Sequence, residues 1–407
     1  EGLQVRDGQH MQIREDAQSM TEAVSELLCE PDVTRALGDA AQEFASHYDW
    51  SMIAEAYLSL YRGEGRGEDW NPRLLQLPTS VVDRPVDAHI PRVASAPSSK
   101  PRTLLLLINR GCNLRCSFCD LWDDPQQMGL DQLIPLLEQA VEIGTKTLVI
   151  TGGEPFMHKG LFHAVRAARA MGMHVNITTN GTFVDKRWDA MVSSGVDSLS
   201  FSLDGLEATH DQLRGKAGSW ARTVEALQRV IEAGIHASVY MVVTRENVGE
   251  LPQVHAMVKA MGVDFDFWPV NDAPDHYLTT ADDRSRWKAA LAALSDVDPE
   301  ISARRAYYEM ALDYHADDLG SVRCLGLVDQ YGVTYDGGFL PCCVWGGEGL
   351  VIGNVFETPL TELWTRPEVQ RYRESLFHEG CTAGCFNHSL YEFEQSTGQS
   401  FRAGGSP

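Results

Sequence analysis

Nine cysteines set the tightest limit on what this 407-residue chain can fold into, because they are not scattered. Cys29 stands alone. Cys112, Cys116 and Cys119 fall within eight residues, and Cys324, Cys342, Cys343, Cys381 and Cys385 crowd the end. A secreted disulfide scaffold is shorter and denser in cysteine, and no signal peptide is visible. Such groups read as metal or cluster ligands in a reducing, cytoplasmic compartment. Each group needs a loop that gathers thiols, carried on a sizeable core, which the 43 % apolar content supplies.

The texture of the chain divides it. Residues 1–62 are amphipathic, with Val33, Leu37, Ala41 and Phe44, then Trp50, Ile53, Ala54, Tyr57 and Tyr61, at helical spacing. Residues 63–102 are rich in Gly, Pro and Ser and read as a linker. From Thr103–Asn109, an apolar run expected of a buried strand, strands and helices alternate. Lys146–Thr151, His174–Thr178, Ser198–Leu203, Ala237–Val243 and Asp264–Val270 complete six strands, which predicts a parallel α/β sheet with helical crossovers over 103–320. Further helices are expected near 281–295 and 300–317. The segment 321–395 reads as a small cysteine-rich α+β domain with a helix over Leu360–Leu376, and 396–407 as a flexible tail.

Charge and hydropathy exclude some functions. Lys+Arg number 34 against 57 Asp+Glu, a net charge of −23 that disfavours nucleic-acid or anionic-membrane partners. No run approaches the roughly 18 apolar residues of a membrane span.

Cys112-Asn-Leu-Arg-Cys116-Ser-Phe-Cys119 directly follows the first strand. Three thiolates on one loop converge on one metal centre. Zinc takes four ligands, commonly in paired short spacings, and no fourth cysteine is near. A 4Fe–4S cluster held by three cysteines leaves one iron open for a substrate or cofactor.

This loop resembles the signature of radical S-adenosylmethionine (radical SAM) enzymes, and further motifs arrive in family order over about 103–270. Phe118 takes the aromatic position that in the family lies beside the adenine. Thr151-Gly152-Gly153-Glu154-Pro155 is similar to the family motif that holds the methionyl amino group. Glycines let backbone approach a ligand, and a carboxylate pairs with an ammonium. Asn180-Gly181 ends the third strand and Ser202-Leu203-Asp204-Gly205 the fourth. Arg214 follows twelve residues after Ser202, a spacing at which the family's Ser and Arg bind the methionyl carboxylate. The resemblance implies a partial, six-stranded TIM-type β/α barrel. It assigns Cys112, Cys116 and Cys119 to a catalytic 4Fe–4S cluster, with Phe118, Gly152, Gly153, Glu154, Asn180, Ser202 and Arg214 around S-adenosylmethionine.

The late cysteines resemble the SPASM/twitch extension of these enzymes, which carries auxiliary clusters. The fuller SPASM pattern has more cysteines. Cys324, Cys342, Cys381 and Cys385 fit one auxiliary 4Fe–4S cluster with four protein ligands, suited to electron transfer, with zinc the runner-up. Cys343 reads as a bystander and Cys29 as a small core residue. Residues 1–62 resemble the C-terminal tail of a GT-B glycosyltransferase, with Trp50 on a helix and a closing Tyr61 but no catalytic motif. They read as the remnant of a longer fusion.

The resemblance implies reductive cleavage of S-adenosylmethionine by an external flavodoxin- or ferredoxin-type donor. A 5′-deoxyadenosyl radical then abstracts a substrate hydrogen, and the auxiliary cluster assists oxidation. Two substrate classes follow: a peptide side chain, or a sugar or small alcohol. The glycosyltransferase-like tail leans slightly to sugar, and the N-terminus shows no evident leader-recognition domain. Trp268, Asn271, Asp272 and His276, at or after the sixth strand, are candidate substrate contacts. The opposing reading is a non-catalytic iron–sulfur or zinc protein.

Overall fold

The computed structural model describes residues 100–123, 125–342, 351–381, 393–395 and 402. The expected helices of 1–62, most of the 63–102 linker, Cys29, Cys343, Cys385 and nearly all of the 396–407 tail lie outside them.

Six parallel strands stand side by side in chain order: β1 (Thr103–Asn109), β2 (Thr147–Gly152), β3 (His174–Thr179), β4 (Ser198–Ser202), β5 (His236–Val243) and β6 (Asp264–Pro269). Parallel neighbours need crossovers. These are α1 (Leu130–Glu142), α2 (Leu161–Ala170), α3 (Trp188–Val192), α4 (Glu207–Leu213), α5 (Ser219–Glu232) and α6 (Leu251–Ala260). After β6 come α7 (Ala281–Ser295) and three short helices, α8 (Pro299–Ala303), α9 (Arg305–Glu309) and α10 (Ala311–His315), where the pattern predicts one helix over 300–317.

The strands show why one face packs and the other does not. In β3, β5 and β6 buried and half-buried residues alternate: Val175, Ile177 and Thr179; Ala237, Val239, Met241 and Val243; Phe265, Phe267 and Pro269 are buried. This is the period of two that a pleated strand imposes. The buried set meets the helices, among them Leu227, Val230, Leu251, Val254 and Val258. The other face is polar and satisfies itself across strands. Asn176 donates to Ser198 at 2.8 Å, Ser200 donates to Asn176 at 3.1 Å, and Ser200 and Ser238 share a bond of 2.9 Å. An all-parallel sheet covered on both faces reads as continuous apolar runs. Only β1 comes near that here.

The cysteine-rich C-terminal segment continues the same sheet. β7 (Gln330–Val333) lies parallel to β1 on the side away from β2, with Thr103 opposite Gln330 and Leu106 opposite Val333. β8 (Gly338–Leu340) returns antiparallel, Val333 opposite Phe339, and β9 (Gly353–Asn354) adds the edge. The expected hairpin is therefore present, with Gly337 at φ +88° in its turn, where a side chain is disfavoured. The expected helix over Leu360–Leu376 is two: α11 (Leu360–Thr365) and α12 (Pro367–His378). Pro367 forces Arg366 out of helical geometry (ψ 137°) and then opens the second helix at its first position. Tyr331, Phe339 and Trp364 pack together, and the Thr145 and Tyr331 hydroxyls meet at 3.0 Å. No helix among the described residues is long and apolar enough to cross a membrane.

Candidate active site

The loop after β1 is held by backbone on both sides. Ser117 N–H donates to the Leu213 carbonyl at 2.9 Å and Arg115 N–H to the Arg214 carbonyl at 3.3 Å, which pins the loop to the end of α4. Gly215 allows this approach, since a Cβ there would fall 2.4 Å from the Arg115 oxygen. From the other side, Glu154 N–H reaches the Gly111 carbonyl at 3.0 Å. A Cβ on Gly153 would fall 2.0 Å from the Arg110 oxygen, and one on Gly152 would fall 2.2 Å from the Asn109 oxygen. The two glycines therefore let the end of β2 close on the cysteine loop.

The result is a cavity at the carboxyl ends of β1–β4. Cys112, Cys116 and Cys119 line it together with Phe118, Gly152, Gly153, Asn180, Ser202 and Arg214. Leu114, Leu121, Trp122, Thr151, Thr178 and Thr179 complete it. Nine of the ten sequence candidates for the first cluster and its cofactor thus border one space.

Glu154 is the exception. Its carboxylate is fully buried behind the wall and accepts from Asn180 N–H (2.8 Å), Thr179 Oγ1 (2.8 Å) and Phe156 N–H (3.0 Å). The motif reading gives this carboxylate a ligand ammonium. The structure gives it three donors of its own chain, because Glu154 caps the helical turn Pro155–Met157 and points back under Asn180. Burial raises its pKa and these hydrogen bonds oppose the rise.

Arg214 is the strongest charge in the site. Its guanidinium pairs with the fully buried Asp204, donates to Cys116 Sγ at 3.8 Å and lies 5.7 Å from the Phe118 ring centre. Burial opposes its charge, but Asp204 and the neighbouring cysteines more than offset that, so its pKa moves up. Asp204 also accepts from Val242 N–H at 2.9 Å. One turn before Arg214, His210 Nδ1 accepts the Asp204 N–H at 3.1 Å. Burial and then Arg214 push the His210 pKa down to about 3, so the ring is neutral. The sequence reading placed Asp204 at the end of the fourth strand and gave it no role. A carboxylate two residues past a strand-end serine, ten before an arginine, was the available signal.

Cys116 is buried and Cys112 and Cys119 are half-buried, and desolvation pushes Cys112 up to about 11, with Cys116 and Cys119 also raised. A metal bound there would deprotonate these ligands. Among the described residues no three His, Cys, Asp or Glu side chains meet closely enough to share one ion. Zinc needs its ligands about 2.3 Å from one centre. A cubane takes each thiolate on its own iron, so three thiols around one cavity fit a 4Fe–4S cluster. Asn180 Nδ2 lies 3.7 Å from Cys112 Sγ and 3.0 Å from Asn113 Oδ1, which ties the third strand to the loop.

Of the later cysteines, Cys381, Cys342 and Cys324 all bear electrostatically on the Tyr372 phenol of α12. Burial, then these three, push that phenol up to about 12. Cys385 lies outside the described residues. Trp268 packs on Tyr240 with ring centres 4.9 Å apart, and Asp272 adopts φ +56°, unusual for a side-chain-bearing residue. Among Trp268, Asn271, Asp272 and His276, none lines the cavity.

A parallel β/α array with three thiols, two glycines and a buried arginine around one strand-end cavity defines an iron–sulfur enzyme that uses S-adenosylmethionine. Residues 106–258 match the Radical SAM superfamily and residues 324–386 the SPASM iron–sulfur cluster-binding domain, and the chain carries both domains. It is similar to the AdoMet-dependent heme synthase of Methanosarcina barkeri, 24 % identical over 306 residues (68 % of this chain, 85 % of that one). It is also similar to the PqqA peptide cyclase of Gluconobacter oxydans, 28 % identical over 281 residues (65 % and 77 %). Its fold matches that of Streptococcus suis SuiB bound to S-adenosylmethionine, with a TM-score of 0.55 and 17 % identity over 75 % of this chain and 77 % of that one. The chain is an enzyme, and its cofactors are 4Fe–4S clusters and S-adenosylmethionine.

Proposed function

We propose that this enzyme abstracts a hydrogen from a peptide side chain and leaves it oxidised or cross-linked. The observation that carries the reaction class is the single cavity shared by Cys112, Cys116, Cys119 and Arg214. Support for a peptide comes from the similarity to a peptide cyclase, over 77 % of that relative's length.

In this reading Cys112, Cys116 and Cys119 hold the first cluster. When bound, the cluster and S-adenosylmethionine supply a 5′-deoxyadenosyl radical on one-electron reduction from an external donor. Arg214, held by Asp204, takes the methionyl carboxylate, and Asn180 and Ser202 supply polar contacts beside it. Gly152 and Gly153 present bare backbone to the amino group. Glu154 holds Asn180 in place and does not touch the cofactor. Leu114, Leu121 and Phe118 keep water from the reacting end. Cys324, Cys342, Cys381 and Cys385 hold one auxiliary cluster, and Tyr372 lies against it.

The test is anaerobic reconstitution followed by S-adenosylmethionine and dithionite. The enzyme should form 5′-deoxyadenosine and hold about eight irons per chain, two cubanes' worth. With a deuterated peptide encoded beside the gene, deuterium should pass into 5′-deoxyadenosine. Deuterium transfer from a sugar alone, with none from the peptide, overturns the substrate class.

A further inference from the structure

His276 follows β6 and bridges two parts of the site that no local sequence signal connects. Its Nε2 is 3.1 Å from the carbonyl oxygen of Ser117, inside the cysteine loop. Its Nδ1 is 3.1 Å from both carboxylate oxygens of Glu246, on the loop after β5. Both partners are oxygens able to accept a ring N–H. The side chain is only 14 % exposed. Its own backbone is tied in as well: His276 N–H donates to the Ala273 carbonyl at 2.9 Å, and Arg245 N–H donates to the His276 carbonyl at 3.0 Å. The loop enters this turn through Asp272, whose left-handed backbone has to be held by its surroundings.

The ring also meets Phe118 edge-on, with centres 6.2 Å apart. Phe118 lines the cavity, and His276 does not. Phe118 is thus flanked by His276 on one side and by the Arg214 guanidinium on another. Ser117 is the residue between Cys116 and Phe118. A bond to its carbonyl therefore fixes the Ser117–Phe118 peptide, which carries the aromatic ring and sits between two of the cysteines. The clamp therefore joins the ends of β5 and β6 to this loop.

We propose that His276, oriented by Glu246, is a positioning residue that sets the cysteine loop and the Phe118 ring for S-adenosylmethionine. This rests on the reading that Cys112, Cys116 and Cys119 hold the first cluster. Removing the imidazole frees Ser117 and lets the ring swing, without touching a thiol. The loss is that of one hydrogen bond, about tenfold in affinity.

The test uses the full reconstituted chain and two readouts besides turnover: the dissociation constant of S-adenosylmethionine, and the change it causes in the electron paramagnetic resonance spectrum of the reduced cluster. His276→Ala should keep its iron, weaken S-adenosylmethionine binding about tenfold and raise KM more than it lowers kcat. His276→Gln, which still offers one N–H to Ser117, should recover most of the affinity. Glu246→Gln should give an intermediate loss. If His276→Ala binds the cofactor as tightly as the parent and gives the same spectrum, the proposal fails. If His276→Ala loses iron, Glu246→Gln decides: unchanged affinity overturns the clamp, and weakened affinity with full iron supports it. A parent enzyme whose spectrum ignores S-adenosylmethionine sinks the cluster reading itself, and the clamp with it.

Discussion

The two cysteine groups lie on either side of β1 and are built differently. The first sits on one continuous loop, closed between the end of α4 and the end of β2 by backbone hydrogen bonds, and it opens into a cavity with a buried arginine. The second is assembled from distant positions. Cys324 precedes β7, Cys342 follows β8, and Cys381 pairs through its backbone with Val322 after α12. The Tyr372 phenol lies within reach of all three of these thiols. A loop that leaves space and a guanidinium beside three thiols suits binding of a charged cofactor. Thiols gathered from several elements around an aromatic ring suit a closed cluster that passes electrons.

The comparison breaks first at Cys116→Ala. 5′-Deoxyadenosine formation should fall to background while about half of the iron, some four atoms, remains. If all iron is lost, the two sites are not independent. Cys324→Ala is the mirror experiment: iron should again fall by about half, cleavage of S-adenosylmethionine should persist, and peptide product should vanish. If the peptide is still processed, the second site has no part in the oxidation.

Arg214→Ala sharpens the electrostatic contrast. It strips the buried Asp204 of its ion partner, a loss of about 3–5 kcal/mol in folding stability by denaturant titration. Arg214→Lys keeps a charge but not the planar fork, and should raise the KM for S-adenosylmethionine roughly tenfold. The smallest effect is on pH dependence. His210 is held down to about 3 and His315, buried against the Val270 carbonyl, to about 4. Both are depressed below their unfolded values. The unfolded chain therefore binds more protons through the interval between, and stability is present above about pH 6.5 and falls as pH drops toward 4. His315→Gln should flatten that slope in denaturation midpoints measured from pH 7 to 5.

Much of this was legible in the sequence, and the failures have physical reasons. The six strands stand within a residue or so of their expected positions, because alternation and flanking glycines are local signals. In α5 the buried stripe includes small and polar residues that do not announce a core face. Ser219, Thr223, Ala226 and Val230 face the sheet beside Leu227, while Trp220, Val224 and Ile231 are half-buried at the rim. Small residues are needed there because Thr223 donates to the Asn180 carbonyl at 2.7 Å, and its Cα would lie 3.0 Å from a Cβ on Gly181. The motif around Glu154 was readable, but not the direction of its side chain, which the following turn decides. The break at Pro367 was written in the sequence and overridden by an apolar pattern. The pairing of β1 with β7 and the bond from His276 to Ser117 leave no local trace, since each joins residues more than a hundred positions apart.

That pairing has a consequence for how the chain is made. Thr103 waits for Gln330, 227 positions later, to cover the outer edge of the most apolar strand in the sheet. At ribosomal speeds of about 5–20 residues per second the wait is on the order of tens of seconds. During it, β1 offers a bare, leucine-rich edge to any passing strand. The end of the protein is thus the seal on its beginning, and a chain stopped short of β7 should be recovered in inclusion bodies, whatever iron it is given.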